Sequence, residues 1–298
     1  MVTLFDRLTR GLKYLAGGAF LSGHPDLVEM DLDRDFPEID RLFVQEEWPF
    51  LRADLEASHA QPRATAYVAR KDGAFAGFFA THAFGDVAYL DMMIIDARFR
   101  GRGVARPLYF RTLRELRRKG ARSFVVHTTN DSSRLIRLLG FRPGQTFTLL
   151  ARDPVGKGGP SPEAATREAL VRLDAEVFGR ARPEWIDALL TQPSTRFYGS
   201  DEASVCLRSR KNGAVCLDMA NARSFAPLGR LVDAILASHA DRRIECFVKT
   251  GSELHRFLEA HGFAVPEFFK AIGPLVEWRK GPVGDIGASP RVQCLSWF

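Results

Sequence analysis

Cysteine is scarce in this chain: four among 298 residues, at 206, 216, 246 and 294, with no two in a C-x-x-C pair. That spacing argues against a zinc cluster and against a dithiol motif, so no metal is expected and reduced thiols are the simplest reading. Long apolar runs are missing as well. Nothing approaches the roughly 20 residues that cross a bilayer, so no membrane is expected. Met1 to Gly23 is basic and partly apolar, but Lys13 interrupts its best apolar window. The segment reads as a short amphipathic surface helix rather than a signal peptide, and the location as cytoplasmic. No Gly-Lys-Ser/Thr occurs, which excludes a P-loop. No aromatic stripe is interleaved with the basic residues, which argues against a nucleic-acid partner.

The remaining composition is that of a globular protein, with 46% hydrophobic and 26% charged residues. A net charge of +6 suits an anionic small ligand. The length suggests two domains, each able to bury its own core. The patterning predicts a strand over 27–32, then two short helices within 36–58 broken near Trp48-Pro49. Strands at 66–69 and 74–80 flank Lys71-Asp72-Gly73, a hairpin signal. Another turn, Phe84-Gly85-Asp86, leads into an apolar strand ending at Ile95. A helix over 104–119, a strand over 123–128, a short helix over 132–139 and a strand over 145–151 follow.

Gly and Pro crowd Asp153 to Pro162, which marks a linker. Beyond it the plan recurs: helix over 163–190, strands over 205–210 and 214–220 around Lys211-Asn212-Gly213, helix over 228–240, strand over 244–249, helix over 253–260. Leu90-Asp91-Met92 returns as Leu217-Asp218-Met219, 127 residues on, and Arg134…Gly140-Phe141 returns as Arg256…Gly262-Phe263, 122 residues on. Two ordered matches in the same context point to a duplication, with five residues lost between them in the second copy. The organisation expected is an N-terminal segment 1–25, a first domain 26–152, a linker 153–162, a second domain 163–280 and a tail 281–298.

The stretch lost is the informative one. In the first copy the strand ends in Arg98-Phe99-Arg100-Gly101-Arg102-Gly103 and opens directly into a helix. Such a turn presents backbone N–H groups and a positive helix end to an anion. Arg106 stands where a dinucleotide fingerprint needs its third glycine. Arg98-x-x-Gly101-x-Gly103 after an apolar strand, followed by Asn130 and Gly140-Phe141, resembles the acyl-CoA loop and N…GF segment of the GNAT superfamily of N-acetyltransferases. The resemblance covers roughly residues 26–151, with a fainter echo over 163–278. It implies an α/β fold of the α+β type: two tandem GNAT-like domains, each a mixed, mostly antiparallel sheet flanked by helices, the second degenerate.

It also implies acetyl-CoA, or another acyl-CoA, as co-substrate, and an amine on a small molecule or peptide as acceptor. Backbone groups of Met93, Ile94 and Ile95 would pair with the pantetheine amides. The N–H groups of Arg100, Gly101, Arg102, Gly103, Val104 and Ala105 would cradle the pyrophosphate. Arg98, Arg100 and Arg102 would add charge, and Asn130 would bind the pantetheine arm. The family's Tyr acid, five residues before the Phe of the GF pair, is Ile136 here and Leu258 in the second copy. That leaves Asp91 as a base, Tyr89 as an acid and His127 as a base, each against a structural alternative: a fold role, a core tyrosine, a satisfied histidine. Asp91 is expected to share a strand face with Tyr89, Met93 and Ile95. Glu46, Glu47 and Trp48 fall where related enzymes shape the acceptor pocket. Ser132 and Ser133 read as helix caps. The expected activity is direct acyl transfer by the first domain of a monomer or homodimer; the alternative is an acyl-CoA-binding sensor with little catalysis.

Overall fold

The computed structural model describes residues 24–61, 63–129, 136–179 and 181–281. Asn130, Ser132, Ser133, the segment 1–23 and the tail beyond 281 lie outside the described residues. β1 (Asp26–Glu29) leads to α1 (Leu32–Gln45), which begins where Asp31 accepts a hydrogen bond from the Arg34 N–H. The chain breaks at Trp48-Pro49 before α2 (Arg52–His59). β2 (Thr65–Lys71) and β3 (Ala74–Phe84) form the expected hairpin, with Asp72 and Gly73 at φ 54° and 78°. Positive φ at both turn residues matches the right-handed twist of the flanking strands. β4 (Val87–Ile95), a single 3₁₀ turn at Ala97–Phe99, α3 (Ala105–Arg118), β5 (Ser123–Thr128) and β6 (Arg142–Arg152) complete the first half.

The second half repeats the plan with α4 (Arg167–Phe178), α5 (Pro183–Leu190), β7 (Thr195–Gly199), β8 (Ala203–Ser209), β9 (Val215–Ala222), α6 (Phe225–Ser238), β10 (Ile244–Lys249), α7 (Glu253–Ala260), α8 (Glu267–Ile272) and β11 (Leu275–Lys280). The continuous helix expected over 163–190 is two helices. Gly179 ends the first at φ 83° and Pro183 begins the second, a stop and a start that use the ordinary preferences of these residues. β7, α8 and β11 were not expected from the sequence.

All strands join one sheet, in the order β1-β2-β3-β4-β5-β11-β6-β10-β9-β8-β7. The last strand of each half lies in the other half's sheet: β11 pairs with β5, and β6 with β10, both antiparallel. At the centre β11 and β6 pair with each other. The order therefore mirrors about that pair, with β2 to β5 answered by β7 to β10. Even β1 has a counterpart, reduced to an isolated bridge between Ala164 and Tyr198 of β7.

Apolar packing follows the same logic. One cluster joins Ile39, Phe43, Phe78 and Met92 of the first half to Trp185, Ile186, Leu189 and Met219 of the second. α3 packs on the opposite face through Leu108, Leu113 and Leu116 against Phe79, Leu90 and Phe124. Cys206, Cys216 and Cys246 are buried free thiols. Among the described residues no helix is long and apolar enough to cross a membrane.

Candidate active site at the splayed strands

β4 and β5 run parallel and pair only over Val87–Tyr89 and Ser123–Val125. Beyond Tyr89 the two strands part, so the edge of β4 from Leu90 to Ile95 faces a gap instead of a ladder. Met93, Ile94 and Ile95, the residues expected to carry pantetheine, stand on this edge and pair only with β3. The 3₁₀ turn and basic loop close the far end of the gap.

In that loop Gly101 and Gly103 have φ 76° and 78°, and a Cβ on either would meet nothing within 4 Å. The backbone conformation, not crowding, requires glycine at both positions. The Arg100 and Arg102 N–H groups donate to the Ala97 and Phe99 carbonyls. The N–H groups of Gly101, Gly103, Val104 and Ala105 donate to no acceptor among the described residues, and Val104 caps α3 with no side-chain hydrogen bond. Unsatisfied donors at a helix start form an anion site.

The three loop arginines differ. Arg98 is bound by Asp96, with Nη2 2.7 Å from Oδ2. Arg100 forms an ion pair with Glu46 and donates from Nε to the Ile95 carbonyl. Arg102 has no carboxylate partner among the described residues, and its guanidinium lies 6.0 Å from the Phe99 ring centroid. Asp96 also binds Arg41 of α1 and accepts from the Arg98 N–H. Hydrogen bonding from Arg98, opposed by burial and reinforced by Arg41, holds its carboxyl well below the usual carboxylate range. Glu46 thus meets the basic loop, whereas Glu47 is exposed at φ 57° and Trp48 stacks against Phe43.

Asp91 occupies a β-bulge. Ala80 pairs with Met92 and Thr81 with Leu90, so Asp91 is the extra residue on β4. A bulge resets the alternation of side chains. Met92 and Ile94, with Tyr89, pack into the cluster shared by the halves, whereas Met93 and Ile95 pack with Leu90 on the α3 side. Asp91 bonds His82, whose ring stacks on Tyr89 and Trp185 at centroid distances of 5.2 and 5.3 Å. Asp91 therefore shares a face with Tyr89, but the expectation that Met93 and Ile95 lie there too is corrected by the bulge. Burial pushes the Asp91 carboxyl above its usual range, partly offset by His82 and His127. Burial likewise pushes the Tyr89 phenol up.

Across the gap, His127 sits on β5 directly opposite Glu277 of β11. His127 Nε2 and Glu277 Oε2 are 3.7 Å apart, and Arg279 Nε donates to Glu277 Oε1 at 2.5 Å. Burial would raise the Glu277 carboxyl, but His127 and Arg279 more than offset it and hold it below its usual range. His82, Glu277 and Arg279 were missed by sequence reasoning. His82 carries a signal, since it lies one hairpin turn before Asp91, but Glu277 has none in the first half. Ile136, in the place of the family's Tyr acid, is buried with Phe141 and Trp278.

The second half carries the same bulge: Cys206 pairs with Met219 and Leu207 with Leu217, leaving Asp218 extra on β9. Register equates His82 with Arg208, and Asp218 is bonded by Arg208 Nη1 at 3.0 Å and Arg210 Nη2 at 2.7 Å. Arg208 also binds Asp54 of α2. β9 and β10 part after three paired positions, yet only Arg223 and Ser224 separate β9 from α6, so no glycine loop lies at the end of that splay.

Residues 28–141, all within the first half, match the acetyltransferase (GNAT) family. No curated protein matches the chain. Solved structures match over most of its length. A candidate acetyltransferase from Pyrococcus horikoshii is 13% identical with a TM-score of 0.74, covering 95% of this chain and 98% of that one. A tandem GNAT protein from the clavulanic acid biosynthesis pathway is 15% identical with a TM-score of 0.61, covering 88% and 100%. A GCN5-related N-acetyltransferase from Sphaerobacter thermophilus is 17% identical with a TM-score of 0.54, covering 87% and 97%. These likenesses establish the fold: a mixed α/β architecture with a large, mostly antiparallel sheet flanked by helices, of the GNAT and tandem-GNAT kind.

Proposed function

We propose that the protein transfers an acetyl or other short acyl group from acyl-CoA to an amine of a small molecule or peptide, in the gap of its first half. One observation carries this reading: the splayed edge of β4 runs straight into a loop where the N–H groups of Gly101, Gly103, Val104 and Ala105 meet no acceptor among the described residues. Pantetheine would lie along Met93 to Ile95, and the pyrophosphate on the N–H groups of Gly101, Gly103, Val104 and Ala105. Arg102 is the loop cation left to meet a phosphate. Residues 26–152 form the acyl-CoA-binding unit in this reading, and 163–280 a degenerate unit that lends it a strand. Positioning and carbonyl polarisation would supply much of the rate.

Thiol release measured with acetyl-CoA and longer acyl-CoAs, against amines, amino acids and peptides, tests the reading. Turnover with at least one acceptor is expected. Neither turnover nor calorimetric binding of CoA would overturn it. Ile136 supports a second reading, because an apolar core residue stands where the family's acid would. Tight acyl-CoA binding without turnover would favour that sensor role.

A further inference from the structure

We infer that the second half completes the active site of the first: Glu277, delivered by the exchanged strand β11, positions His127 to take the proton from the acceptor amine. The inference rests on the acyl-transfer reading above. Three observations converge on it. His127 stands two residues beyond the last β4–β5 pair and is the direct cross-strand partner of Glu277, with Nε2 3.7 Å from Oε2. His127 Nε2 is buried without a hydrogen-bond partner among the described residues. That separation is within ion-pair reach but beyond a hydrogen bond, and such contacts tighten when a reacting complex forms.

The third observation is the internal control that the pseudo-symmetry supplies. Tyr89 pairs with Val125 and the matching Cys216 with Glu245, so His127 corresponds to Phe247. Phe247 faces Leu149 of β6, as His127 faces Glu277 of β11. The half without a phosphate loop thus has two apolar residues where the half with the loop has an imidazole and a carboxylate. A pair needed only to hold the sheet would have no reason to follow the loop.

The chemistry is ordinary general-base catalysis. With Nε2–H directed at Glu277, the imidazole presents Nδ1 as acceptor. The amine nitrogen forms the C–N bond and gives one proton to Nδ1. The C–S bond breaks, its electron pair goes to the CoA sulfur, and that thiolate recovers the proton. Glu277 faces the imidazole from β11 and is itself bonded by Arg279, and the Asp91 carboxyl of β4 lies within electrostatic reach of it. Glu277 is a positioning residue in this scheme, and His127 the catalytic one.

The test compares the full-length wild type with Glu277→Gln, His127→Gln and the double variant, using whichever acceptor the thiol-release screen identifies. His127→Gln should lower kcat by about 10²-fold or more. Glu277→Gln should lower kcat by about tenfold with KM for acyl-CoA unchanged, and shift the acidic limb of the pH profile. The double variant should lose no more than His127→Gln alone, because the two act as one unit. Glu277→Gln is nearly isosteric and keeps an acceptor for Arg279; circular dichroism and calorimetric CoA affinity check that it folds. An active wild type whose Glu277→Gln variant keeps its kcat and pH profile, or whose losses are additive, would overturn the inference and leave the acyl-transfer reading intact. Acyl-CoA binding without turnover would sink the proton-transfer role while keeping the cofactor site. Absence of both binding and turnover would sink the function itself.

Discussion

Asp91 and Asp218 occupy equivalent bulges, but His82 answers the first and Arg208 the second. The difference has energetic consequences. Arg208 is wholly buried between Asp218 and Asp54, so it cannot be removed without leaving carboxylates in a dry interior. Breaking a buried ion pair by removing one partner costs about 3–5 kcal/mol; Arg210 still reaches Asp218, so Arg208→Leu should fall near the lower end, about 3 kcal/mol by urea denaturation. His82→Leu should behave differently, because Asp91 can protonate. Burial already raises the Asp91 carboxyl and His82 partly offsets this, so losing His82 raises it further. A carboxyl whose folded pKa exceeds its unfolded value stabilises the native state only while protonated, so that contribution is present below about pH 4 and fades as pH rises through the folded value. The urea midpoints of His82→Leu and wild type should therefore converge as pH falls toward 4. A gap that stays constant with pH would show that Asp91 does not respond to His82.

At the level of elements, the loop between β4 and α3 is fixed by two kinds of constraint. Asp96 ties Arg98 and Arg41 together at its start, and Gly101 and Gly103 supply positive φ along its course. An L side chain held at such φ costs roughly 1–2 kcal/mol, and no neighbour opposes the added Cβ. Gly103→Val should therefore weaken acyl-CoA binding by about tenfold, read by calorimetry, while the thermal midpoint moves only a few degrees. Unchanged affinity would mean that the loop does not touch the cofactor. Elements with strong local signals were legible in advance: β5, β10 and α7 fall where the patterning puts them. So was the loop, because its glycines and its strand-to-helix setting lie close together in sequence. The Asp91 bulge was not legible, since an extra residue in a ladder depends on the partner strand and leaves the local pattern Leu-Asp-Met-Met-Ile-Ile unaltered. β11 went unread for the same kind of reason. Leu275-Val276-Glu277-Trp278 alternates faces only in the light of partners on β5 and β6, more than 120 residues away.

The whole molecule is held by that exchange. Three ladders cross between the halves, β5–β11, β11–β6 and β6–β10, and the apolar cluster around Trp185 and Phe78 is common to both. The linker, by contrast, is exposed and is tied down by little beyond the Val155 and Gly156 N–H bonds to the Ala240 carbonyl, the Gly159 N–H bond to the Ala237 carbonyl and the Asp153–Arg243 ion pair. Covalent continuity at Gly156–Lys157 should therefore matter far less than the non-covalent pairing. Placing a recognition sequence for a specific protease there and cleaving it should leave a single species on size exclusion in native buffer. Urea should unfold the nicked protein in one transition, at a midpoint that now rises with protein concentration, because unfolding releases two chains. Separating the pieces would expose the unpaired edges of β5 and β10 and leave β6 and β11 without partners on either side, a cost in buried N–H and C=O groups that native conditions do not supply. The nicked protein should also keep its acyl-CoA affinity, since Gly101, Gly103 and the β4 edge all belong to one piece. Pieces that separate in native buffer, or two independent unfolding transitions, would show instead that each half stands alone and that the exchanged strands are dispensable.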